Sequence, residues 1–115
     1  MTITIFHNSR CSKSRQTLAL IEEKGIQPEV VEYLKNPLSV DELQLVVQKL
    51  GVNVRDIIRT KEAQYKETGL DNQALSDTEI FQILVNRPKL IERPIVVKGE
   101  QAVIGRPPEN VLALL

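Results

Sequence analysis

The chain has 115 residues, 42% apolar and 26% charged but only 3% aromatic, enough for one domain with an aliphatic core and too little for two. Lys+Arg and Asp+Glu are both 15, so the formal net charge is zero, which argues against a broad electrostatic grip on nucleic acid or on an anionic membrane. A single cysteine excludes an internal disulfide or a C-x-x-C dithiol relay, no apolar run reaches the length of a membrane span, and "MTITIFHNSR" lacks the layout of a secretory signal. A cytoplasmic protein with a reduced thiol is therefore expected.

In chain order, "TITIF" (Thr2 to Phe6) reads as a buried strand that stops at the polar "HNSR". Apolar residues at helical spacing, Leu18 and Ile21 with Thr17 and Leu20, predict a helix over Ser12 to Lys24 with Gly25 as its C-terminal cap. "EVVEYL" (Glu29 to Leu34) is a second strand, parallel to the first by the right-handed crossover rule. Two helices then announce their own starts: Ser39 and Glu42 form one capping box, with Leu38 and Leu43 as a hydrophobic staple and Gly51 at the end. Ser76 and Glu79 form the other, and Pro88 closes that helix. Between them lie a short helix around Val54 to Ile58 and the polar stretch "TKEAQYKETGLDNQ", expected to be looped and mobile. "PIVVKGEQAVIG" predicts two strands joined by a turn at Lys98 to Gln101, buried on both faces. "RPPENVLALL" closes the chain as a helix, its proline tolerated in the first turn. This is an α/β order, and no linker rich in Gly, Pro or Ser interrupts it, so a single domain over 1–115 is expected, with a helical insertion over about 36–90.

Chemistry concentrates in "HNSRCSKSR", where the only cysteine and the only histidine stand four positions apart. Cys11 falls where a strand hands over to a helix, and amides at a helix start stabilise an anion. A free thiol is only about 3% ionised at pH 7, and lowering its pKa by about two units, ~2.7 kcal/mol, makes roughly three quarters of it thiolate. A helix terminus with one or two cations supplies that much. Arg15 lies one helical turn beyond Cys11 and can fold back over it, Arg10 and Lys13 flank it, and His7 can donate to the sulfur or to Asn8. Taken without context a lone cysteine is more often an inert apolar filler, but a polar strand-to-helix loop is a poor place for one.

Other chemistries fail on spacing. One histidine and one cysteine are too few for zinc, so no metal site is expected. A cysteine-phosphatase loop needs arginine where Thr17 stands, and there is no Gly-rich nucleotide loop. Arg59, Arg93 and Arg106 each stand at the end of a predicted element, and arginine's planar fork suits tetrahedral oxyanions. Pro94 opens a strand, where a cis peptide shapes a tight turn.

"FHNSRCSKSRQTL", "VRDIIRTKE", "LIERPIVV" and "IGRPPE", in this order, resemble the glutaredoxin-linked arsenate reductase family over essentially the whole length. The resemblance implies a thioredoxin-like mixed sheet, built from βαβ and ββα halves, with an extra helical insertion. It implies Cys11 as nucleophile with Arg15 completing the Cys-x3-Arg pattern, His7 as the histidine before the cysteine, Arg59, Arg93 and Arg106 as oxyanion ligands, and Pro94 as the cis proline. The expected partners are arsenate, glutathione as external reductant, and glutaredoxin. No tightly bound cofactor, nucleic acid, membrane or second copy of the chain is expected. Ser9 departs from the family pattern, which has proline there. The same loop also resembles Spx-like regulators that bind RNA polymerase, but their redox switch needs a second cysteine where Ser14 stands. A monothiol oxidoreductase acting on a glutathione mixed disulfide is the third reading.

Overall fold

The computed structural model describes residues 2–115. Two compact units are present, one formed by the residues up to Asn36 together with Arg93–Leu115, the other by Pro37–Glu92.

In the first unit, β1 (Ile3–Phe6) alternates buried and half-buried positions, the period of a strand with one face on the core. It leads through a short loop into α1 (Ser12–Glu23). β2 (Glu29–Val31) follows, parallel to β1, with Ile5 opposite Val30. This strand is shorter than the expected Glu29 to Leu34 because the Lys35 and Asn36 amides both turn back to the Glu32 carbonyl at 2.9 Å. β3 (Ile95–Lys98) and β4 (Gln101–Ile104) form a hairpin, antiparallel with Ile95 opposite Ile104. Gly99 occupies the left-handed region (φ 61) in its two-residue turn, a backbone that such hairpin loops require. β3 pairs antiparallel with β1, giving the sheet order β2-β1-β3-β4. This is a thioredoxin-like mixed sheet of βαβ and ββα halves.

The core of this unit joins Ile3, Ile5 and Val96 from the sheet, Ile21 from α1, and Val111 and Leu114 from the C-terminal segment. Burial on both faces holds at the start of β3 but not in β4, an edge strand that is only half-buried. The C-terminal helix is also not the expected α-helix: Pro108–Ala113 is 3₁₀. Pro108, Val111 and Leu114, three residues apart, are all buried, and a 3₁₀ helix stacks residues i and i+3 on one face, whereas an α-helix would rotate them off the sheet.

In the second unit, α2 (Val40–Leu50) and α4 (Asp77–Asn86) bury Leu43, Val46 and Val47 and Ile80, Phe81 and Leu84 respectively, and pack on each other. Both capping boxes form. Ser39 Oγ accepts the Glu42 N–H at 3.1 Å while Glu42 Oε1 accepts the Ser39 N–H at 3.0 Å, and Ser76 with Glu79 repeats the exchange at 3.2 and 3.5 Å. A 3₁₀ turn occupies Val54–Ile57. The stretch after it is not the open loop expected. It contains the short helix α3 (Gln64–Glu67), and Leu70 beyond that helix is fully buried. The Arg55 guanidinium holds this end by donating to the carbonyls of Leu70 at 3.0 Å and Asn72 at 2.9 Å. Among the described residues no helix is long and apolar enough to cross a membrane.

Candidate active site

The register of the first unit explains why distant residues meet. β1 pairs with β3 through Phe6 and Ile95, and Ile95 pairs with Ile104. The loop that leaves β1, the residues just before β3 and those just after β4 therefore share one end of the sheet. Cys11, Arg93 and Arg106 stand in those three places.

The loop is fixed by its own backbone. Asn8 accepts the Cys11 N–H on its carbonyl at 3.0 Å and the Arg10 N–H on Oδ1 at 3.0 Å, an Asx turn superimposed on a β-turn. Cys11 then takes the N-cap of α1 with extended dihedrals (φ −94, ψ 123). It is 9% exposed. Burial pushes its thiol pKa up, but the Ser14 N–H, the Arg93 guanidinium through a hydrogen bond and through its charge, and the Lys13 N–H together outweigh that, and the net direction is down. Cys11 Sγ thus stands where a capping oxygen usually does, and the amides that such an oxygen would satisfy favour the thiolate.

Two arginines converge on this sulfur. Arg106 Nη2 donates to Sγ at 3.5 Å, while Arg106 Nε donates to the Arg93 carbonyl at 2.8 Å. Arg93 is itself half-buried. Burial weakens its charge, but the contact with Cys11 and then the hydroxyl of Tyr33 outweigh burial and raise its pKa. The Arg93 Nε is buried without a hydrogen-bond partner, a donor aimed at no protein group. The Arg93–Pro94 and Arg106–Pro107 peptides are both cis. Gly105 sets the approach of Arg106: a Cβ there would meet Thr17 Oγ1 at 2.5 Å and Pro94 Cγ at 2.8 Å, so β4 can close on α1 only with glycine at that position.

His7 and Arg15 are placed differently from the simplest expectation. His7 does not donate to the sulfur or to Asn8. Its Nδ1 lies 2.7 Å from Ser14 Oγ, and burial, opposed by Glu32 and helped by Arg15, lowers its pKa, which keeps the ring neutral. Arg15 folds back onto the loop and donates to the Ser9 carbonyl at 2.9 Å, a bond to the backbone beside Cys11 and not to its sulfur. Arg59 belongs to the helical unit, where it faces Glu62 at 3.5 Å and Glu92 at 3.8 Å and its Nε is buried with no hydrogen-bond partner. Among the described residues no group of three His, Cys, Asp or Glu is placed to hold a metal ion. Ser14, Tyr33 and Gly105 are site residues that the sequence does not announce. Only the position of Ser14, one helical turn from Cys11, was a usable signal.

A family model described as the ArsC family matches residues 6–114. The chain belongs to the ArsC family. Within the ArsC family it is 53% identical, over the full length of both proteins, to a Haemophilus influenzae protein named arsenate reductase. Its structure is similar to one titled arsenate reductase from Vibrio cholerae, at TM-score 0.97 and 52% identity, covering 100% of this chain and 98% of that one. A putative arsenate reductase from Yersinia pestis gives a TM-score of 0.93 at 54% identity, covering 96% and 98%.

Proposed function

We propose that the protein reduces arsenate to arsenite with Cys11 as nucleophile. The observation that carries this reading is the convergence of the Ser14 and Lys13 amides with the Arg93 and Arg106 guanidiniums on one sulfur, a thiolate bedded among donors that suit a tetrahedral oxyanion. The similarity to proteins named arsenate reductase supplies the substrate.

In the proposed sequence the Cys11 thiolate attacks arsenic(V), a protonated oxygen leaves as water, and an S–As bond forms. Arg93, with Arg106, balances the charge on the remaining oxygens, and the family resemblance adds Arg59 to these ligands. The chain has no second cysteine, so an external thiolate, glutathione, attacks the Cys11 sulfur. The S–As bond breaks with its electron pair on arsenic, arsenite departs as As(III), and a mixed disulfide remains on Cys11. A glutaredoxin takes the glutathione and restores the thiol. His7, neutral and bonded to Ser14, supports the loop rather than carrying a proton to the oxyanion.

The test is arsenate-dependent NADPH oxidation coupled through glutathione reductase and glutaredoxin. Turnover is expected for the wild type and none for Cys11→Ser. Equal rates for the two overturn the enzymatic reading. Turnover with thioredoxin and thioredoxin reductase in place of the glutathione system overturns only the choice of reductant.

A further inference from the structure

We propose that Ser14 is a positioning residue for the Cys11 thiolate: its enclosed hydroxyl ties the end of β1 and the following loop to the first turn of α1, holding the amide cradle closed around the sulfur. Ser14 is fully buried, and its Oγ has two neighbours, the Asn8 N–H at 3.1 Å and His7 Nδ1 at 2.7 Å. A hydroxyl has one proton to give. The Asn8 N–H can only donate, so Oγ accepts there; a buried hydroxyl also needs somewhere to place its own proton, and His7 Nδ1 is its other neighbour, so we assign the proton to that contact, with the ring proton on Nε2.

Each of these bonds bears on the sulfur. Asn8 carries both turns that set residues 8–11, accepting the Cys11 N–H on its carbonyl and the Arg10 N–H on its side chain. His7 anchors the same hydroxyl to the sheet through its own N–H to the Val31 carbonyl at 2.8 Å. Ser14's own amide is one of the two backbone groups that lower the Cys11 pKa, although Sγ at the N-cap accepts no full capping hydrogen bond. One residue therefore grips the loop with its side chain and acts on the sulfur with its backbone. Alanine would keep the amide but leave the Asn8 N–H and the buried His7 Nδ1 without the partner they share, and the loop would shift to recover one.

The inference rests on Cys11 being the nucleophile but not on arsenate being its substrate. The experiment is iodoacetamide alkylation of Cys11 against pH for the wild type, Ser14→Ala and Ser14→Thr. Ser14→Ala is expected to move the midpoint up by about one pH unit and to slow alkylation at neutral pH about threefold, with threonine, which keeps the hydroxyl, restoring most of both. In the coupled assay Ser14→Ala should lower kcat at neutral pH, leave the KM for arsenate unchanged, and recover kcat as the pH is raised. A merely structural loss would not be repaired by pH. An unchanged midpoint in folded Ser14→Ala overturns the proposal. A shifted midpoint without arsenate turnover in any variant upholds it and removes the substrate reading instead. Should Ser14→Ala fail to fold, nitrogen-15 chemical shifts of His7 in the wild type decide: the Nε2–H form is expected, and an Nδ1–H form overturns the inference.

Discussion

Arg106 donates to the Cys11 sulfur at 3.5 Å across a sequence separation of 95 residues, and the same guanidinium is braced by its Nε on the Arg93 carbonyl at 2.8 Å. The second bond matters as much as the first, because it turns a flexible side chain into an oriented one. A lysine could carry the charge to the sulfur but could not hold both partners. Arg106→Lys is therefore expected to lower kcat/KM for arsenate about tenfold and Arg106→Ala about a hundredfold, the range of a charge-assisted hydrogen bond of ~1.5–3 kcal/mol. Steady-state kinetics of the two variants check this, and equal activity of Lys and Arg would show that charge alone suffices.

The depressed pKa of His7 makes a prediction about acid stability. In the unfolded chain the ring takes a proton as pH falls below about 6.5, while in the folded protein burial and Arg15 hold it neutral to lower pH. The unfolded state then binds more protons, so stability is complete above that value and declines as pH falls from it toward the folded pKa. Urea midpoints should fall over this window for the wild type, and His7→Gln should flatten the dependence. A wild-type profile that is level there would mean that the folded ring titrates freely.

How far the sequence reaches depends on whether the physics is local. The Ser39–Glu42 and Ser76–Glu79 boxes were readable because each is closed by residues three apart. The thiol's position was readable because a polar loop between strand and helix has few other meanings. The partners of His7 and Arg15 were not: His7 chose Ser14 and Arg15 chose the Ser9 carbonyl, choices made by rotamer and burial that spacing cannot express. Tyr33 looked like a strand residue, and its contact with Arg93 exists only once the hairpin has folded beside β1. The C-terminal helix was legible but its 3₁₀ form was not, because its proline start marks a helix without fixing the period, and the burial of Pro108, Val111 and Leu114 that selects three residues per turn exists only in the packed fold. Leu70 was hidden in a polar stretch whose composition outweighed the one residue that anchors it.

Gly105 gives a test of how tightly the site is built. Its hypothetical Cβ overlaps Thr17 Oγ1 at 2.5 Å and Pro94 Cγ at 2.8 Å, and Thr17 is itself fully buried and bonded to the Lys13 carbonyl at 2.8 Å, so neither neighbour retreats cheaply. Gly105→Ala is expected to cost about 1–3 kcal/mol in urea unfolding and to reduce activity further by shifting Arg106, the next residue. The double variant Gly105→Ala with Thr17→Ala removes both Thr17 atoms in the way, Oγ1 at 2.5 Å and Cγ2 at 3.0 Å, and should be more stable than the sum of the two single losses predicts. No recovery would place the strain against Pro94 instead.

The oxyanion role proposed for Arg59 predicts an effect on binding and none on thiol activation. The contacts of Arg59 with Glu62 and Glu92 are long, 3.5 and 3.8 Å, and its buried Nε makes no hydrogen bond, so no short bond inside the helical unit holds the guanidinium in place. The groups that lower the Cys11 pKa are the Ser14 and Lys13 amides and Arg93, not Arg59. If Arg59 is an oxyanion ligand, Arg59→Ala should raise the KM for arsenate at least tenfold, the cost of about 1.4 kcal/mol of lost binding, while the urea midpoint and the pH midpoint of Cys11 alkylation stay where they are. An unchanged KM removes Arg59 from the ligand set. A shifted alkylation midpoint would instead make it part of thiol activation, with the oxyanion left to Arg93 and Arg106.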